Sequence, residues 1–145
     1  MSNTFSDYKV LESNTFHLNK DVAHPDDILL YKNMSFQLPE SYVAGTNFAM
    51  PVLQFLIKPQ IADSKLFIFV NSTPNYEGRG TIDLTHNRDH LVFNSRIEGG
   101  PLRMLSSVFT GTRLQPGTNN IAFAIEQRGA HWVDNVVLFY QRDLD

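Results

Sequence analysis

Hydrophobic and polar positions alternate with period two along most of this chain. In "NMSFQL" the residues Met34, Phe36 and Leu38 share one face, and in "NNIAFAIE" Ile121, Phe123 and Ile125 alternate with small or polar neighbours. The run "KLFIFVN" is aromatic and β-branched throughout, and further strand-like stretches occupy 14–18, 28–31, 52–57, 80–85, 90–97, 103–110 and 133–141. Turn chemistry separates them: "HPDD" at 24–27, "VAGTN" at 43–47, "TPNYEGRG" at 73–80, "EGGP" at 98–101, "QPGTNN" at 115–120 and "QRGAH" at 127–131. No window carries a sustained helical stripe; the nearest, "DDILLYKNM", is short and gives way at once to alternation. About eight or nine short strands at this spacing predict an all-β antiparallel sandwich. At 145 residues the chain is read as a single domain over 1–145, with 1–13 as an N-terminal arm.

Composition narrows the function classes. The 12 Lys and Arg against 15 Asp and Glu give a net charge of −3, and the basic residues are scattered singly, so the footprint of a nucleic-acid binder is missing. The absence of cysteine excludes disulfides, thiolate nucleophiles and Cys-ligated zinc. "MSNTFSDYKVLESNTF" lacks a basic start followed by an apolar run, and no window approaches the ~20 apolar residues of a membrane span. The expectation is a soluble protein, cytoplasmic or exported without a visible signal peptide.

The stretch "DLTHNRDHLVF" carries two histidines four residues apart, His86 and His90, with Asp89 beside the second. A hairpin turning at Asn87-Arg88 would set His86 opposite Asp89, Leu84 opposite Leu91 and Ile82 opposite Phe93, gathering the apolar residues on one face. The two imidazoles would then diverge. In one unbroken strand they would lie about 13 Å apart, too far for one metal. The segment is therefore expected to be a polar hairpin tip, and no metal site is assigned. No GxSxG elbow, phosphate-binding glycine loop, HExxH helix or dinucleotide fingerprint occurs, and no cofactor is expected.

Downstream, Pro116-Gly117 meets the requirement of a type II turn, with Gly117 at the position needing positive φ; Gly117 is expected to be the demanding residue and Asn119 less so. The phrase formed by Leu114, Pro116, Gly117, Asn119, Ile121 and Phe123 is followed by a last strand of Val133, Asp134, Val136, Val137 and Leu138. Over about the last 40 residues this resembles the galactose-binding-like β-sandwich superfamily, which includes many carbohydrate-binding modules. The resemblance implies a jelly-roll sandwich and a binding role. It also raises a structural calcium role for Asp134, beside the simpler reading of a turn-capping aspartate.

Sugars are held by an aromatic face against C–H groups, with polar side chains on the hydroxyls. "EQRGAHWVDN" gathers Glu126, Arg128, His131 and Trp132 around one turn, and Trp132 is the only tryptophan. These four are the candidate ligand-binding residues. The competing readings make Trp132 a packing aromatic and Arg128 with Glu126 a solvated pair. The leading functional expectation is a non-catalytic binding or assembly module whose partner is a glycan, another protein or a second copy of itself. The alternatives are a small lyase or isomerase using His131 or His86 as base, and a structural subunit of a larger particle.

Overall fold

The computed structural model describes residues 4–19, 30–44, 50–61, 63–77, 80–126 and 128–143. The turns expected at 24–27, most of 43–47 and Arg79 lie outside the described residues. Two antiparallel sheets pack face to face. Sheet A runs in the order β1 (Thr4–Glu12), β12 (Ala130–Asp143), β5 (Val52–Pro59) and β10 (Arg103–Val108), with β2 (Phe16–Asn19) and β4 (Tyr42–Val43) also paired to β12. Sheet B runs β3 (Tyr31–Leu38), β11 (Gly117–Ala124), β6 (Ser64–Val70) and β9 (Leu91–Ile97). The chain crosses between sheets from β5 to β6, from β9 to β10, from β10 to β11 and from β11 to β12, so the expected all-β sandwich is the observed fold. The residues read as an N-terminal arm instead supply β1, which pairs with β12 along the edge of sheet A.

Period two explains the layers. Phe55 and Phe123, both essentially inaccessible, meet edge to face at 4.9 Å between the sheets, and Leu18, Leu53, Ile57, Leu66, Ile68, Ile121, Val133 and Leu138 fill the same core. β12 keeps its alternation only because of a bulge. The register with β5 slips between Asp134 and Val137, and Asn135 adopts φ 53 there. His131 and Val133 before the bulge, and Val136, Leu138 and Tyr140 after it, therefore all point inward, while Trp132, Asp134, Val137 and Phe139 point out.

From Leu66 to Val70, β6 is apolar and buried on both faces. On its outer side Phe67 and Phe69 join Ala122, Ala124 and Ile82 in a second, smaller core, with Tyr76, Leu84 and Leu91 packed against it. The cover is a two-stranded ribbon, β7 (Asn75–Tyr76) and β8 (Ile82–Asp83). It is fastened by the Tyr76 hydroxyl, 2.8 Å from the Ile125 carbonyl and 3.0 Å from that of Leu30, and by the Ile82 N–H donating to Glu126 Oε2 at 2.9 Å. The alanines of β11 leave room for it.

The hairpin expected at 80–93 does not form. β8 pairs with β7, and β9 pairs with β6. Asp83 Oδ1 accepts both the backbone N–H and the hydroxyl of Thr85, which ends the strand, and residues 88–90 make a 3₁₀ turn. Asn87 has φ −131, not the positive value that a two-residue hairpin turn prefers. Ile82, Leu84 and Leu91 still share one small core, reached without the hairpin, while Phe93 packs into the main one.

Gly117 has φ 90, as a type II turn requires. The denser set of contacts, however, falls on Asn119. A Cβ at Gly117 would meet nothing within 4 Å, whereas Asn119 is fully buried and makes four hydrogen bonds. Its Oδ1 accepts from Gln115 N at 3.0 Å and Asn71 Nδ2 at 2.9 Å, and its Nδ2 donates to the carbonyls of Gln115 at 2.7 Å and Gly117 at 3.1 Å.

Candidate functional site

The alternation of β12 decides what the four candidate residues can do, because it sends neighbours to opposite sides of a sheet. Trp132 lies on the outer face of sheet A and is 42% exposed. Its cross-strand partners are His17 on β2 and Lys58 on β5. The His17 imidazole stacks on the indole at 3.8 Å between centroids and 5° between planes, and is itself fixed by a hydrogen bond to the Gln60 side chain. One indole face is thus covered from the β2 side, and the other is left on the side of Lys58.

His131 points the opposite way and is fully buried. Its Nε2 lies 2.8 Å from Ser64 Oγ, and Ser64 donates its hydrogen to the Ile61 carbonyl at 3.0 Å. With that hydrogen committed, Ser64 receives the imidazole N–H. Burial, together with the charge of Arg103, pushes the His131 pKa down to about 4 against the smaller opposing effect of the Lys65 and Ser64 backbone. The ring is a neutral, packed donor, and its geometry does not offer a base to a substrate.

Glu126 and Arg128 belong to a third place, a cleft on the side of sheet B, where Glu126 holds the ribbon through Ile82. They do not form an ion pair. The remaining candidates in the sequence are also spoken for: His86 sits 3.6 Å from Asp83, and His90 Nδ1 donates to the Val70 carbonyl at 2.9 Å. Among the described residues no three His, Asp or Glu side chains converge. Asp134 lies within β12 beside the bulge, not at a turn.

What the sequence did not reveal is the surface that Trp132 joins. Cross-strand rows on the outer face of sheet A run Tyr8–Phe139–Val52–Val108, then Val10–Val137–Gln54–Ser106, then Asp134–Leu56–Met104, then His17–Trp132–Lys58. Tyr8, Val10, Met104, Val108, Trp132 and Phe139 are all exposed. The Tyr8 and Phe139 rings are 6.3 Å apart. At ~3.3 Å per residue this pair lies about 20 Å from Trp132 along β12. The face therefore has an aromatic group toward each end, with apolar residues and the polar Gln54, Ser106, Lys58 and Asp134 between. Only knowledge of the strand pairing assembles it; the signal present in the sequence is the outward alternation of Tyr8 and Val10 in "SDYKVLE".

An antiparallel β-sandwich with a ribbon on one outer face and, among the described residues, exposed apolar side chains on the other defines the class of this domain. No protein-family model matches the chain, and no curated protein matches it in sequence. Among solved structures it is similar to dimeric latent PorU from Porphyromonas gingivalis, at 10% identity and a TM-score of 0.60, over 98% of this chain and 13% of that one. The chain thus spans about an eighth of that protein, and the likeness is one of fold. Structure neighbours also include a family 29 carbohydrate-binding module from Piromyces equi, at 8% identity and a TM-score of 0.48, over 93% of this chain and 91% of the other. Another is the C-terminal family 6 module of a marine laminarinase from Zobellia galactanivorans, at 9% identity and a TM-score of 0.44, over 95% of this chain and 99% of the other. Among the described residues no helix is long and apolar enough to cross a membrane.

Proposed function

We propose that this domain is a non-catalytic carbohydrate-binding module whose ligand lies on the outer face of sheet A. One observation carries the reading. Among the described residues that face carries six exposed apolar side chains, while Phe67, Phe69, Ala122 and Ala124 on the equivalent face of sheet B are buried under a ribbon. An exposed apolar face of this kind marks a recognition surface. The polar groups set among its aromatic residues favour a ligand with both apolar faces and hydroxyls. Trp132 is the platform, braced by His17, with Lys58 and Asp134 within reach as donor and acceptor. The Arg128 and His131 side chains lie off this face and take no part in it.

The test is a panel of neutral oligosaccharides read by intrinsic tryptophan fluorescence, which in a protein with one tryptophan reports one place. Saturable quenching or a spectral shift is expected, with calorimetric affinity falling about tenfold or more in Trp132→Ala, the size of effect seen when a stacked aromatic anchor is removed. Binding that is silent in fluorescence and intact in Trp132→Ala would remove the site from this face. A stable dimer that loses its association in Met104→Glu, with no glycan bound, would identify the face as a protein contact instead.

A further inference from the structure

The side of sheet B holds a cleft of about 410 Å³, within the usual range of small-molecule sites. Its charged lining is Lys65, Arg96, Arg128, Asp63 and Glu126. Lys65 and Arg96 are direct cross-strand partners in the β6–β9 register. Like charges placed opposite each other destabilise a sheet unless something neutralises them. Arg128 brings a third cation to the same cleft from the turn before β12.

Among the described residues none of the three is in an ion pair, the pairs being Lys32–Glu12, His86–Asp83 and Arg142–Asp7, and Lys65 lies over the Phe67 ring with its Nζ 5.9 Å from the centroid. Arg96 gives one guanidinium nitrogen to the Asp63 carbonyl at 3.0 Å and keeps its other donors. Glu126 has one carboxylate oxygen on the Ile82 N–H and the other in reserve. The three cations outnumber the two carboxylates of the lining, a local excess of positive charge on a chain of net charge −3.

We propose that this cleft binds an acidic sugar residue, a ring carrying a carboxylate or a sulfate. The anion sits among Lys65, Arg96 and Arg128, where a guanidinium can grip it through two parallel hydrogen bonds. The ring hydroxyls donate to the Asp63 carboxylate and to the free oxygen of Glu126. The inference rests on the carbohydrate reading and deepens it: the same domain has a neutral-sugar face on sheet A and an acidic-sugar cleft on sheet B.

Titration calorimetry with an oligogalacturonate, a sulfated galactan oligosaccharide and a neutral oligosaccharide drawn from the panel tests it. Each is measured on the wild-type chain, on Lys65→Gln/Arg96→Gln and on Trp132→Ala. One or both acidic ligands are expected to bind the wild type, to weaken as ionic strength rises, and to lose about tenfold or more in the double variant, the scale of a charge-assisted contact. Which of the two binds tells carboxylate from sulfate. Neutral binding should survive the double variant and fail in Trp132→Ala. The double variant removes two opposed like charges, so its melting temperature should not fall, which separates loss of the site from loss of the fold. Acidic ligands bound no differently in wild type and double variant would overturn the cleft while leaving the carbohydrate reading in place. Acidic binding lost only in the double variant, with no neutral ligand bound, would uphold the cleft and overturn the outer face of sheet A as a sugar site. No binding by any of the three would overturn both.

Discussion

His131 shows how much one position changes when its surroundings are known. In the sequence it stands between Ala130 and Trp132 in a turn-rich, charged stretch, where a histidine reads as functional. In the fold it is the inward member of an alternating pair, and its basicity is suppressed by burial. The consequence for stability has a definite sign. The folded-state pKa of about 4 lies below the ordinary 6.5 of a histidine, so between these values the unfolded chain binds the proton and the folded chain does not. Stability is therefore expected to fall as pH drops from about 6.5 to about 4, by roughly 3 kcal/mol at ~1.4 kcal/mol per pH unit, and to lose nothing more from this group below that. Urea denaturation across this range checks it. His131→Gln should flatten the dependence, and an equally steep dependence in that variant would assign it to other groups.

At the scale of elements, the clearest case is the turn between β10 and β11. Its pattern of Leu114, Pro116, Gly117 and Asn119 was legible in the sequence as a turn followed by a strand, and the positive φ of Gly117 follows from turn chemistry alone. The weight on Asn119 was not legible, because one of its partners, Asn71, lies far from the motif in sequence. Asn71, 48 residues upstream and itself at φ 55, donates to Asn119 and accepts from the N–H of Asn120 at 2.8 Å, tying the end of β6 to the start of β11. Gly117→Ala should cost only the strain of left-handed backbone, about 1–2 kcal/mol. Asn119→Ala removes four hydrogen bonds that one fully buried side chain makes to Asn71, Gln115 and Gly117, at about 0.5–1.5 kcal/mol each, and should lower the melting temperature further. A larger loss in Gly117→Ala would contradict this ranking.

The same limit explains the hairpin that failed. Alternation correctly placed Ile82, Leu84 and Leu91 together, but periodicity does not say which strand a strand pairs with. The small residues Ala122 and Ala124 and the doubly buried Phe67 and Phe69 were the sign that something would cover sheet B. Runs such as β3, β5, β6 and β11 were readable because each buries a whole face. β1 buries no such face, its apolar Tyr8 and Val10 being exposed. Of the four candidate site residues, the sequence grouped by proximity what the fold distributes over an outer face, the interior and a cleft.

Taken whole, the molecule treats its two outer faces differently. Sheet B spends a ribbon, a tyrosine and a glutamate on covering its apolar face; among the described residues nothing comparable covers sheet A, with Trp132 toward one end and the Tyr8–Phe139 pair toward the other. A sandwich built only to be stable would gain by covering both. The asymmetry is what assigns the binding role to sheet A, and it can be mapped directly. In a nitrogen–proton NMR titration with a neutral oligosaccharide that quenches Trp132, the indole N–H of Trp132 and the amides of Leu56, Lys58, Asp134 and Val137 should shift together and saturate at one affinity, while the amides of Phe67, Phe69 and Ala122 under the ribbon stay still. Saturable shifts confined to sheet B or its ribbon, with the Trp132 indole unmoved, would contradict the assignment.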